Sequence, residues 1–154
     1  MIQIKKILHP TDFSKNSHHA MKYACAFASH FGSELHVLHV IADLGMVTLP
    51  PVDGYLPASY YEEARKRARE ELDKLPGDLL RTEIKVVKKA VEGAVFPEII
   101  QYAQEENIDL IIVGTHGYTG LSHLLLGSVA EKIVRRSPCP VLTVSPEDHE
   151  FVMP

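Results

Sequence analysis

Short apolar runs alternate with longer amphipathic ones along this chain. The short runs are residues 4–8, 35–41, 84–87, 110–113 and 141–144, rich in Val and Ile and in several cases apolar at nearly every position. Strands buried on both faces have that composition, because a parallel sheet covered by helices leaves no solvent face for polar residues. Between the runs, four stretches repeat apolar residues every three or four positions, the spacing of one helix face. In 16–31 these are Ala20, Met21, Ala24, Phe27, Ala28 and Phe31, with Ser14 placed to cap the start and Gly32 to end it. In 60–75 they are Ala64, Ala68, Leu72 and Leu75, ended by Pro76-Gly77. The outer face of that stretch pairs Glu62 with Lys66, Glu63 with Arg67 and Glu70 with Lys74 in the favourable i,i+4 order. In 95–106, Pro97 stands in the first turn, where a missing N–H costs little, and Ile99, Ile100 and Ala103 face inward. In 128–136, Val129, Ala130, Ile133 and Val134 mark the inner face, and the helix stops ahead of Pro138.

The predicted order is therefore β-α-β-α-β-α-β-α-β, which requires parallel strands, right-handed crossovers and helices on both sheet faces. Residues 1–146 read as one α/β domain, with 147–154 a loose tail. Residues 42–59 form a connection longer than the roughly 12–15 residues usual for an unstructured loop. It holds Gly45, Pro50, Pro51, Gly54 and Pro57, and its apolar Met46, Val47, Leu49, Val52 and Leu56 favour a packed loop over a free linker.

Composition narrows the class. The 154 residues fit one domain, and 45% hydrophobic with 23% charged residues is ordinary for a globular protein. Sixteen Lys and Arg against 20 Asp and Glu give 16 − 20 = −4, so no sequence-wide basic footprint points to nucleic acid. No apolar run approaches the roughly 18 residues of a membrane span, so no membrane insertion is expected. The apolar stretch at the start is too short for a secretory signal, and two cysteines supply no disulfide framework, so the expected location is the cytoplasm.

In open doubly wound sheets, ligands bind beyond the carboxyl ends of the strands, where strand order reverses. Three segments qualify: His9-Pro10-Thr11-Asp12, Val40-Ile41-Ala42, and the stretch from Gly114. The last holds Gly114-x2-Gly117-x9-Gly127-Ser128, with a helix beginning at Ser128. Glycines let backbone N–H groups approach a ligand with no Cβ in the way. A helix start adds unpaired N–H donors and a partial positive charge, and Ser128 adds a hydroxyl. Together these point to a phosphate-bearing ligand; a simple turn is the alternative. Asp12 serves either as a ligand contact or as a capping carboxylate near Ser14. His116, between two glycines, is within reach of a phosphate oxygen or is a solvated loop residue. The nine histidines offer no zinc pattern: His36 and His39 face opposite sides of a strand, and His18 and His19 diverge on a helix. Cys25 reads as a small core residue, Cys139 sits between two prolines, and Arg135 and Arg136 complement a helix end.

From Ile4 to Val144 the chain resembles the universal stress proteins. The glycine pattern matches that family's nucleotide signature, Gly-x2-Gly-x9-Gly-(Ser/Thr), without a gap. Pro10-Thr11-Asp12, Leu38-His39-Val40, Asp109–Val113 and Ser137–Val141 resemble the family as well. The resemblance implies strand order 3-2-1-4-5, a Rossmann-like fold and the ATP-binding branch of the family. It implies that Asp12 and the Val40 backbone contact adenine, with Pro10, Thr11 and Val113 beside it and Gly114 near the ribose. Gly117, Gly127, Ser128 and Val129, with His116 nearby, would hold the phosphates of ATP or AMP, and Mg2+ or Mn2+ would arrive on those phosphates. It also implies a homodimer through Val141–Val144, an apolar edge that otherwise invites uncontrolled pairing. A higher oligomer and an unidentified protein partner stay open.

Two functions compete on this reading: a nucleotide-responsive regulatory protein, and a weak ATPase or phosphotransferase. The glycine segment lacks a Walker lysine and no base stands out beside it, so binding with at most slow hydrolysis is expected. No catalytic residue and no protein-held metal are assigned. An empty structural dimer module is the third reading.

Overall fold

The computed structural model describes residues 2–42, 58–80, 83–116 and 126–146. Gly117, residues 43–57 of the long connection and the tail 147–154 lie outside these. The elements in chain order are β1 (Lys6–Pro10), α1 (Lys15–Phe31), β2 (Glu34–Ala42), α2 (Ala58–Lys74), β3 (Val86–Gly93), α3 (Val95–Glu105), β4 (Leu110–Gly114), α4 (Ser128–Arg136) and β5 (Val141–Val144). The strands form one parallel five-stranded sheet in the order β3-β2-β1-β4-β5. Connections from β1 to β2 and β3 step one way and those to β4 and β5 step the other, so α1 and α2 cover one face and α3 and α4 the other.

Strand side chains alternate between two cores. Ile7, Leu35, Val37, Leu110 and Ile112 meet Ala20, Met21, Ala24 and Ala28 of α1 and Leu72 of α2. Leu8, Leu38, Val40, Ile111 and Val113 meet Ile99, Tyr102 and Ala103 of α3 and Ala130 and Ile133 of α4. Each fully buried Leu or Ile contributes roughly 1.5–3 kcal/mol, so the two cores hold the sheet from both sides.

Helix ends follow local chemistry. Ser14 Oγ accepts the Ser17 N–H at 3.1 Å, and Gly32 takes the left-handed conformation (φ 65°) that an L side chain disfavours. Three expectations shift. Phe31 and Val134, expected inward, are each 47% exposed, whereas Ile133 beside Val134 is fully buried. Tyr102 is buried on α3, whereas Ile100 is half-buried. On α2, Lys74 pairs with Glu71 and Lys66 with Glu70, while Arg65 reaches across to Glu92 on β3. Among the described residues no helix is long and apolar enough to cross a membrane.

Candidate functional site

The hydrogen-bonded pairing of β1 with β4 is short, and Pro10 accounts for the first missing rung. Their register runs Ile7↔Leu110 and Leu8↔Ile111 and then stops. Ile111 and Thr115 direct their N–H groups to the Pro140 and Val144 carbonyls on the β5 side, so Ile112 presents its backbone groups to β1. The next rung would need a donor at position 10 for the Ile112 carbonyl, and Pro10 has none. The ladder ends there, at the point where strand order reverses.

A cleft of about 350 Å³ lies at this point. Pro10, Thr11 and Asp12 line it after β1, Val40 after β2, and Val113, Gly114 and His116 after β4. Gly127, Ser128 and Val129 close it from the start of α4. Ten of the sequence-predicted residues thus come together from four separate segments; the eleventh, Gly117, lies outside the described residues. The reading of the sequence missed Ser17, Leu38, His39, Val95, Ile99, Thr115 and Ala130, which also line the cleft. Spacing along a strand or helix would have placed some of them, but their convergence depends on the fold.

The first wall is a tight turn. Asp12 Oδ1 accepts the Ser14 N–H at 3.0 Å, and Thr11 Oγ1 accepts the Phe13 N–H at 3.1 Å. Phe13 sits at φ 62°, a conformation uncommon outside glycine, and its ring packs 4.3 Å from that of His39. His39 Nδ1 donates to the Thr11 carbonyl at 2.8 Å, tying the turn to β2, and burial lowers the His39 pKa. Asp12 therefore both shapes the turn and faces the cleft.

The opposite wall is the start of α4, a helix of nine residues. Ser128 is exposed there, while Val129 is half-buried. Gly127 has a reason the spacing did not reveal. A Cβ at this position would lie 2.7 Å from the Thr115 carbonyl oxygen, a backbone atom with nowhere to go. The Gly127 N–H donates to that same oxygen. Glycine here lets the helix start close onto β4, and its own N–H is spent on protein. Gly114 is tight in a milder way, with the Asn16 carbonyl 3.2 Å from a built Cβ. Thr115 is buried, and its Oγ1 lies 2.9 Å from His116 Nδ1.

Beneath the cleft runs a buried polar chain. His9 is fully buried and its Nδ1 donates to the Ile112 carbonyl at 2.8 Å. Its Nε2 lies 3.3 Å from Ser17 Oγ, which is 2.8 Å from Thr11 Oγ1. Burial drives the His9 pKa down to about 4, against the pull of the Ile112 carbonyl and Asp12, so the ring is neutral near pH 7.

Residues 3–145 match the model of the universal stress protein family. The chain belongs to that family. Universal stress protein MJ0531 of Methanocaldococcus jannaschii is 36% identical over 91% of this chain and 81% of its own length. MJ0577 of the same organism is 32% identical over 93% of this chain and 96% of its own. A solved structure of MJ0577 superposes with a TM-score of 0.75 at 34% identity, covering 96% of this chain and 100% of that one. A universal stress protein family protein of Arabidopsis thaliana, solved with AMP bound, superposes with a TM-score of 0.65 at 15% identity, over 94% and 93% of the two chains. At that identity it shows a shared fold alone.

Proposed function

We propose that this universal stress protein binds an adenine nucleotide, ATP or AMP, in the β1–β4 cleft and acts as a regulatory protein with at most slow hydrolysis. The observation that carries the reading is the convergence of a carboxylate wall and a helix start on one cleft of about 350 Å³, within the size range of small-molecule sites. Asp12 repels phosphate, whereas the start of α4 and the exposed Ser128 hydroxyl attract it. A nucleotide therefore lies with its base toward Asp12 and the Val40 backbone, and its phosphates toward Ser128, Val129 and His116. Apolar Pro10, Leu38, Val40 and Val113 give the base a surface to pack on. The Arabidopsis protein of the same fold is described with AMP bound, which agrees with an adenine nucleotide as the ligand class.

Among the described residues no group of three or more His, Cys, Asp or Glu could hold a metal ion. Mg2+ or Mn2+ would accordingly reach the site on the phosphates. Hydrolysis needs a positioned water and charge neutralisation, and among the described residues no lysine or arginine lines the cleft. We infer further that β5, which pairs with β4 on one side, joins its copy in a homodimer along its other edge.

Mass spectrometry of the small molecules released on denaturing the purified protein tests the ligand, with adenine nucleotide at near one per chain expected. Sustained phosphate release from ATP above about one per second would move the protein to the ATPase reading. Sedimentation equilibrium tests the dimer, and Thr143→Pro, which removes an edge donor, should yield monomer.

A further inference from the structure

We propose that His9 is a positioning residue: its ring replaces the backbone donor that Pro10 lacks, and so holds β4 at the spacing that keeps the cleft open. The inference rests on the nucleotide reading only where it concerns affinity. The register beyond Leu8↔Ile111 leaves the Ile112 carbonyl buried and owed a hydrogen bond. A backbone N–H at position 10 would supply it by drawing the strands into another rung. The imidazole supplies it instead from the side, at 2.8 Å, without closing the gap between strands.

Three further features fit this role. A carbonyl only accepts, so Nδ1 carries the ring proton, and a neutral ring then leaves Nε2 bare. The Nε2 edge lies 3.3 Å from Ser17 Oγ on α1, whose hydroxyl donates to Thr11 Oγ1, so the ring sits in contact with the residue that ties the helix to the turn walling the cleft. Two residues further along β4 from Ile112 stands Gly114, and Thr115 after it accepts from Gly127. The position of the α4 start thus depends on where β4 is held. His9 itself does not line the cleft, so it acts through the strands.

The experiment has two arms on the full chain. Long-range 1H–15N spectra of the imidazoles should show His9 protonated at Nδ1 and bare at Nε2 at pH 7; the opposite tautomer overturns the proposal. In the second arm, His9→Asn keeps a donor where Nδ1 stood, and His9→Leu removes it. Titration with AMP should show His9→Asn within about threefold of the parent and His9→Leu weaker by about tenfold or more. Equal affinities for His9→Leu and the parent, or equal losses in both variants, would overturn it. Should His9→Leu not fold, Pro10→Ala provides the second reading. With a backbone donor restored, the stability lost in His9→Asn,Pro10→Ala and in His9→Ala,Pro10→Ala should converge, whereas with Pro10 in place His9→Ala should be clearly the weaker. Strict additivity would reject the role. A parent protein that binds no nucleotide would sink the proposed function while the tautomer and the stability comparison still decide the role of His9.

Discussion

Thr11 contributes to the walls of two cavities, and the two differ in which end of a helix faces them. The cleft between β1 and β4 receives the start of α4 and holds about 350 Å³. The other, about 440 Å³, lies between α1 and the segment that ends α2, lined by Phe13, His18, Met21, Glu71, Lys74 and Leu75 through Leu79. A helix start offers unpaired N–H groups, and a helix end offers unpaired carbonyls. The larger cavity also carries Glu71 and Asp78, and its Lys74 is already paired with Glu71 at 2.6 Å. An anionic ligand therefore gains in the smaller space and loses in the larger one. Volume does not select the site here; the direction of the backbone does.

Acid should break the cleft first. His9 has a folded pKa of about 4, below its unfolded value of 6.5, so the unfolded chain takes up a proton that the folded chain refuses. Its contribution to stability is complete above about pH 6.5 and is lost as pH falls through about 4, a change on the order of 3 kcal/mol. Urea unfolding at pH 7 and pH 4.5 should show a smaller pH dependence in His9→Asn than in the parent.

A matched pair of glycine substitutions sharpens the contrast. Gly127→Ala drives a methyl into the Thr115 carbonyl and should weaken AMP binding by roughly ten- to a hundredfold as α4 is pushed from β4. Gly77→Ala, in the larger cavity, meets nothing within 4 Å but sits at φ 57°. It should cost about 1 kcal/mol of stability and leave affinity within twofold. Calorimetric titration with urea melts separates the two effects. Next in size, Ser128→Ala removes one exposed hydroxyl at the helix start and should cost about 1 kcal/mol of binding. Smallest of all, Lys74→Ala breaks an exposed pair and should leave both the urea midpoint and AMP binding at the parent's values.

Much of the fold was legible because it follows from local rules. The alternation of apolar runs foretold a parallel sheet, and Ser14 and Gly32 cap α1 as their chemistry demands. Strand β3 was harder. Residues 84–87 looked like the whole strand, yet it runs Val86–Gly93, since an edge strand tolerates Lys88, Lys89 and Glu92 on its exposed positions. At the start of the chain the apolar run ended at Leu8, while β1 continues through His9 and Pro10. Those two residues read as loop chemistry and are instead strand residues, with Pro10 at the first missing rung of the β1–β4 ladder.

For the site, the glycine spacing and the strand-end rule picked out residues that do meet in one cleft. The spacing could not disclose that Gly127 is required by a neighbouring carbonyl, since Thr115 and Gly127 are joined only in the fold. The same holds for the buried His9, Ser17 and Thr11. Each is an unremarkable polar residue in sequence, and their hydrogen bonds reach partners that folding brings near, Ile112 being 103 positions from His9.

The most direct measurement is a backbone amide NMR titration of the 15N-labelled protein with AMP. Saturable shifts are expected at Asp12, Val40, Gly114 through His116, and Gly127 through Val129, with Glu71 through Leu79 unmoved. Saturable shifts at Glu71 through Leu79 with the cleft residues silent, or no saturable shift at millimolar nucleotide, would contradict nucleotide binding in the cleft.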